Sequence, residues 1–119
     1  MDAARALAEE QAALRQLVSD LRTELEGIMA AQDANPPDDE HDVEGSSVGY
    51  ERARVTALLA RAEGQLHEAD AAAARQAAGA YGRCDGCGGP IGDDRLVALP
   101  MTRRCVTCAA TSRYGLLPR

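Results

Sequence analysis

The chain has 119 residues and a formal net charge of −6; 24 residues are alanine, three are tyrosine, and there is no phenylalanine or tryptophan. This length suits one small domain, and the shortage of aromatic side chains argues against a large globular core. The negative charge argues against electrostatic attachment to nucleic acid or to an anionic membrane. No apolar run approaches the roughly 20 residues of a membrane span, and the N-terminus lacks the basic head of a secretory signal. We therefore expect a soluble, cytoplasmic protein.

The first segment has the periodicity of an amphipathic helix. Its apolar residues recur at seven-residue steps, with three more widening the stripe: Leu7, Leu14, Leu21 and Ile28, then Leu17, Val18 and Leu25. The pair Pro36-Pro37 stops such a helix, because proline cannot donate the backbone hydrogen bond. We predict that this helix ends near Gln32.

A second helix is predicted after an acidic stretch, with Ser46 or Ser47 as its N-cap. Gly79 and Gly82 mark its exit. Two helices of similar length with a short connection bury their apolar seams most simply as an antiparallel hairpin over residues 1–80. A parallel dimer through either helix is the competing arrangement. The seam of the second helix comprises Val48, Val55, Leu59, Ala62, Leu66, Ala69, Ala73 and Ala80.

The connector at about residues 33–45 carries six carboxylates and no basic residue. Acids and prolines are common in solvated turns, which is the plainer interpretation of this run. The functional alternative is a tip that presents negative charge to a metal ion or to a basic groove. His41 and His67 are interpreted as bystanders, since neither has a second histidine at metal-binding spacing. The six carboxylates belong to Asp33, Asp38, Asp39, Glu40, Asp42 and Glu44.

The cysteines give the most specific signal: Cys84 with Cys87, and Cys105 with Cys108, form two C-x-x-C pairs separated by 17 residues. This spacing predicts a zinc finger over residues 81–119, in which four thiolates hold one zinc ion. Because four thiolates fill the coordination sphere, the ion is expected to be structural, and no nucleophile–base pair or phosphate loop suggests an enzyme. Redox sensing by these thiols is the minor alternative.

Two further expectations concern the finger. Its glycines Gly86, Gly88 and Gly89 suit the left-handed backbone of a cysteine knuckle. The apolar residues between the two pairs, Ile91 and 96–99, are predicted to form a short strand or two. The predicted fold class is therefore mainly α, with an antiparallel two-helix coiled-coil hairpin and a small C-terminal four-cysteine zinc finger.

The finger resembles that of the DksA/TraR family. The resemblance rests on three runs: Tyr81-Gly82-Arg83-Cys84-x-x-Cys87-Gly88-x-Pro90-Ile91, Arg95-Leu96-x-Ala98-x-Pro100 and Cys105-Val106-x-Cys108. The order of hairpin, acidic connector and finger along the chain is similar to that in the long, DksA-like members of the family. The resemblance implies a regulator that binds RNA polymerase without binding promoter DNA. It also implies that the hairpin enters the secondary channel, where the acidic tip reaches toward the active site and alters initiation.

The tip of DksA-like members has the pattern D-x-x-D-x-A. Asp39 and Asp42 supply its two carboxylates here, but Glu44 then stands where the pattern has alanine. A second register, counted back from the finger, puts His41 and Glu44 at the carboxylate positions and Ser46 at the alanine. Asp39, Asp42 and Glu44 are therefore the joint candidates for the tip that faces the polymerase active site.

The resemblance also bears on the alarmone ppGpp. It places Leu99, Ala109 and Glu68 where ppGpp-responsive members carry basic residues. A tetraphosphate has little to pair with when those cations are missing, so synergy with ppGpp is expected to be weak or absent.

Two other classes of function remain open. The hairpin could serve as an adaptor for a different protein, or the finger could bind nucleic acid through Arg103, Arg104 and Arg113. Those arginines could equally form a solvated face or meet an acidic polymerase surface. We expect a monomer, without sequence-specific DNA binding and without membrane attachment.

Overall fold

The computed structural model of the chain describes residues 2–34 and 43–113. It contains four helices: α1 (Asp2–Ala34), α2 (Val43–Ala77), α3 (Asp93–Ala98) and α4 (Val106–Arg113). Within these described ranges there is no strand, and Arg83 forms a single antiparallel bridge with Pro90. The two long helices pack as an antiparallel hairpin and the cysteines cluster in the C-terminal finger, which confirms the predicted fold class. None of the described helices combines the length and the apolar character that a membrane crossing needs.

The apolar stripe of α1 is buried largely as its sequence predicts. Leu7, Leu14, Val18 and Leu21 are buried, and α1 continues to Ala34, two residues past its predicted end. Leu17 is an exception, because 44 % of it is exposed. Successive helical residues are rotated by about 100°, so the residue before Val18 lies at the flank of the stripe.

The second helix begins earlier in the sequence than predicted. It begins at Val43, so neither Ser46 nor Ser47 is its N-cap, and both lie within the helix. Glu44 falls in the first turn of α2. At the other end Gly79 has φ +78°, and the N–H of Ala80 donates to the carbonyl of Arg75 at 2.8 Å. This is a glycine-closed helix end, as predicted.

Residues 13–66 form one compact unit. Its buried core consists of Val18, Leu21, Val55 and Ala62, against which four half-buried residues pack: Leu25, Ile28, Leu59 and Leu66. Polar side chains cross between the helices, with Arg22 donating to Glu63 at 2.8 Å and Arg52 to Gln32 at 3.1 Å. Because exposed ion pairs contribute little, apolar burial along the seam holds this unit together.

Residues 1–12 and 67–119 form the other compact unit. Here Gln11 donates to Asp70 at 2.6 Å between the two long helices. Ala72 is fully buried, whereas the predicted seam residue Ala73 is only half-buried and Ala80 lies beyond the end of α2. The seam therefore shifts by one residue near the end of α2.

The predicted strand between the cysteine pairs is wrong. Residues 96–98 lie in α3, Leu99 follows this helix, and Ile91 precedes it, next to the isolated bridge between Arg83 and Pro90. Asp93 and Asp94 occupy the first helical turn, where acids are favourable. The short helix buries Leu96 alone and leaves Val97 and Leu99 exposed. A short apolar run does not by itself distinguish a strand from a helix.

Replacing Gly64 with alanine is expected to stabilise the protein. Gly64 lies exposed inside α2, and an added Cβ would meet no atom within 4 Å. Alanine is favoured over glycine in a helix interior by about 1 kcal/mol, so the midpoint of thermal unfolding, followed by circular dichroism, should rise. The matched control, Gly79→Ala, should lower it, because Gly79 has a positive φ that alanine adopts only with strain. A lower midpoint for Gly64→Ala would contradict this prediction.

Candidate metal centre

The structure brings the four cysteines together. Their sulfur atoms all lie within 4.8 Å of one another, and the Sγ atoms of Cys87 and Cys105 are 4.0 Å apart. Four thiolates placed tetrahedrally around zinc, with Zn–S near 2.3 Å, have sulfurs about 3.8 Å apart. The donor set and the spacing of the sulfurs therefore fit one four-coordinate zinc ion.

Local backbone hydrogen bonds shape the first cysteine knuckle. The N–H of Gly88 donates to the carbonyl of Cys84 at 2.9 Å, and the N–H of Cys84 donates to the carbonyl of Gly89 at 2.8 Å. The N–H of Gly86 donates to the Sγ of Cys84 at 3.2 Å. These bonds fold residues 84–89 into a tight turn around the sulfur of Cys84.

The second knuckle leads directly into a helix. Because α4 begins at Val106, Cys108 lies in the first turn of this helix. The N–H of Cys108 donates to the Sγ of Cys105 at 3.5 Å. The N–H of Cys105 donates to the Sγ of Cys84 at 3.3 Å. The two knuckles are thus joined at the sulfur of Cys84.

These donors shift the acidity of the thiols. Hydrogen bonds from the backbone, first that of Cys105 and then those of Cys87 and Gly86, lower the pKa of Cys84 to about 6. Hydrogen bonding with the sulfurs of Cys84 and Cys105 raises the pKa of Cys108 to about 12. Negative charge on one sulfur thus opposes ionisation of the next. A divalent cation is what allows four adjacent thiolates to coexist.

The three knuckle glycines have different roles, which corrects the expectation that all adopt left-handed backbone. Only Gly88 among them has a positive φ, of +76°. A Cβ on Gly86 would lie 2.8 Å from the Sγ of Cys108, closer than real contacts allow. A Cβ on Gly89 would make an ordinary 3.5 Å contact with the Sγ of Cys87. Gly86 is therefore required for space and Gly88 for conformation.

Replacing Gly86 with alanine is expected to weaken zinc binding by about 10- to 100-fold, the range typical of disturbing the surroundings of a metal site. The new Cβ must displace the sulfur of Cys108 from its position. Competition with a chromophoric zinc chelator measures this affinity. Gly89→Ala is the control and should bind zinc almost as the wild type does. Equal affinities for the two variants would refute the steric role of Gly86.

Longer-range bonds fix the finger around this centre. The hydroxyl of Tyr81 donates to the carbonyl of Pro100 at 2.8 Å, and the Nε of Arg95 donates to the carbonyl of Arg104 at 2.8 Å. The N–H of Asp85 donates to the carbonyl of Arg103 at 2.8 Å. Residues 100–104 lead into Cys105. Through these three bonds they are tied to Tyr81 before the first knuckle, to α3, and to the first knuckle itself.

The predicted acidic tip falls mostly outside the residues that the structure describes. Asp39, Asp42 and His41 lie in the segment 35–42, and Glu44 lies in the first turn of α2, where only the backbone is described. Asp33 is exposed in the last turn of α1. The tip residues therefore remain a prediction.

Sequence reasoning missed a cleft beside the finger. This cleft has a volume of about 490 Å³ and contains Glu68 together with two arginines, and Arg103 in it lies 3.7 Å from Asp85. The consecutive pair Arg103-Arg104 before Cys105 was the available sequence signal for this cleft. The sequence does not show, however, which part of α2 faces these two arginines. The lining residues are His67, Glu68, Ala71, Met101, Thr102, Arg103 and Arg104.

Comparison with known proteins agrees with this geometry. Residues 79–114 match the family model described as the prokaryotic dksA/traR C4-type zinc finger. The fold is similar to the solved structure of transcription factor DksA2 from Pseudomonas aeruginosa, with a TM-score of 0.64 and 27% sequence identity over 93% of this chain and 85% of that chain. No curated protein sequence matches the chain significantly. The four clustered cysteines and the family model together give the protein one structural zinc ion. Residues 79–114 thus carry a zinc finger of the DksA/TraR type, and the chain as a whole is similar in fold to a DksA transcription factor.

Proposed function

We propose that this protein regulates transcription by binding RNA polymerase directly and inserting its hairpin into the secondary channel to modulate initiation. The observation that carries the proposal is the combination, on one chain, of a DksA/TraR-type finger with a long two-helix hairpin. With 33 residues, α1 is about 50 Å long, which suits a rod that reaches into a channel.

The proposal divides the chain by role. Residues 1–80 form the hairpin that carries the acidic tip, and residues 81–119 form the finger. All four cysteine thiolates hold the zinc ion, which supplies structure and no open coordination position. Asp39, Asp42 and Glu44 are the tip residues that face the polymerase active site.

Charge favours a protein partner over nucleic acid. Residues 1–80 have a net charge of −9 and residues 81–119 of +3. Four thiolates with one zinc ion bring the finger to about +1, far from a strongly basic module. We propose that the protein acts in the cytoplasm as a monomer, without catalytic activity, membrane attachment or sequence-specific DNA binding.

Co-purification with core RNA polymerase tests the proposal. The zinc-loaded protein is expected to elute with polymerase in size-exclusion chromatography and to change the yield of run-off transcription. A salt titration of DNA binding is the companion experiment, because a phosphate-binding ribbon shows a steep dependence of affinity on salt. Failure of the folded, zinc-loaded protein to bind polymerase would make the adaptor function the leading alternative. A steep salt dependence of tight DNA binding would favour a nucleic-acid-binding finger.

The effect on transcription is expected to change less than about twofold when ppGpp is added, because phosphates need cationic partners. Glu68 and Leu99 are both exposed and offer no positive charge. Run-off transcription with and without ppGpp, in the presence and absence of the protein, measures this synergy. A large gain that needs both ppGpp and the protein would contradict the prediction. Such a gain would make Arg103 and Arg104, which lie in the same cleft as Glu68, the candidate cationic partners of the phosphates.

A further inference from the structure

The two sides of the sulfur cluster differ in their access to water. Cys87 is exposed, whereas Cys84 is only 3 % exposed. Three other buried residues share the core around Cys84, namely Ala3, Ile91 and Leu96. Ile91 and Leu96 belong to the finger itself, but Ala3 comes from the first turn of α1.

The contact that α1 makes with the core around Cys84 is small. Ala3 is buried in this core, yet a hollow of about 300 Å³ lies beside it, lined by Ala4, Tyr81 and Leu96 among others. The first turn of a helix lacks intrahelical partners for its N–H groups and opens readily unless tertiary contacts hold it. Among the described residues, Ala3 is the buried residue that α1 contributes to this core.

We propose that Ala3 is a positioning residue for the zinc site and that it couples the first turns of α1 to zinc retention. While α1 is docked, Ala3 shields the Cys84 side of the centre from water and competing ligands. When zinc leaves, the core around Cys84 loses its support and the first turns of α1 open. Coupling of this kind is reciprocal, so disturbing either partner weakens the other. This inference does not depend on polymerase binding.

The rate of zinc transfer to the chelator 4-(2-pyridylazo)resorcinol tests one direction of the coupling. Ala3→Gln keeps a good helix former but forces a larger polar side chain into the core. We expect it to release zinc about 10-fold faster than the wild type, within the range seen when the surroundings of metal ligands are disturbed. Ala8→Gln makes the same exchange at an exposed position of α1 and should leave the rate within about twofold. Equal rates for both variants would overturn the proposal.

Hydrogen exchange of the wild-type protein tests the other direction and needs no variant. Protection of the amides of residues 6–12 should fall at least about tenfold when zinc is chelated, while that of residues 20–26 should change little. If Ala3→Gln fails to fold, Ala3→Gly and Ala8→Gly replace the pair, because both carry the same helix penalty. Unchanged protection of residues 6–12 after zinc removal would show that α1 and the zinc centre are independent.

Discussion

Chelation of zinc is expected to unfold residues 81–113 and to leave the core of residues 13–66 helical. The apolar core of the finger is small, since its buried members among the described residues are Cys84, Ile91 and Leu96, joined by Ala3 of α1. Its helices α3 and α4 have six and eight residues, too short to persist alone. A structural zinc ion can contribute about 10–16 kcal/mol to the folding of a small domain, which exceeds the total stability of many proteins.

Amide spectra from nuclear magnetic resonance measure this outcome residue by residue. On chelation, signals of the finger should collapse toward unfolded positions, and added zinc should restore them. The variant Cys87→Ser separates ligand loss from packing loss, because Cys87 is exposed and contributes little to the core. It should reproduce the collapse, whereas Thr107→Ala, an exposed change between Cys105 and Cys108, should not. A finger that stays folded without zinc would contradict the structural role of the ion.

The hairpin was predictable because its signal repeats along the sequence. Seven-residue spacing from Leu7 to Ile28 is maintained over several turns, and each turn adds independent support for one buried face. The cysteine site was predictable for a related reason, since two C-x-x-C pairs leave few arrangements other than a tetrahedron. Both predictions rest on the spacing of residues close together in the sequence, which distant contacts do not easily change.

The errors arise where the structure depends on distant contacts. The apolar run that ends at Leu99 has the length of a strand, and only the finger core around Cys84 selects the helix that buries Leu96. Gly86 is required because Cys108, far along the chain, occupies the place of its missing side chain. Contacts across such separations leave no signal in a local pattern.

Neutralising the tip is expected to abolish the transcriptional effect and to preserve polymerase binding. The double variant Asp39→Asn/Asp42→Asn removes two negative charges while keeping the size of each side chain. Binding should persist because the hairpin seam and the finger are unchanged. The effect on run-off transcription should fall roughly tenfold or more, which corresponds to at least about 1.4 kcal/mol of lost interaction with the initiation complex.

Two companion variants make this result specific. Glu9→Gln/Glu10→Gln removes the same charge from α1 outside the connector and should keep full activity, which separates the tip from net charge. Glu44→Gln distinguishes the two registers, because it should be nearly silent if Asp39 and Asp42 are the tip carboxylates and strongly defective if Glu44 is one of them. Full activity of both the double variant and Glu44→Gln, with binding intact, would show that the acidic connector is a solvated turn. The hairpin would then act on polymerase through its helical faces, without a contribution from the carboxylates of its tip.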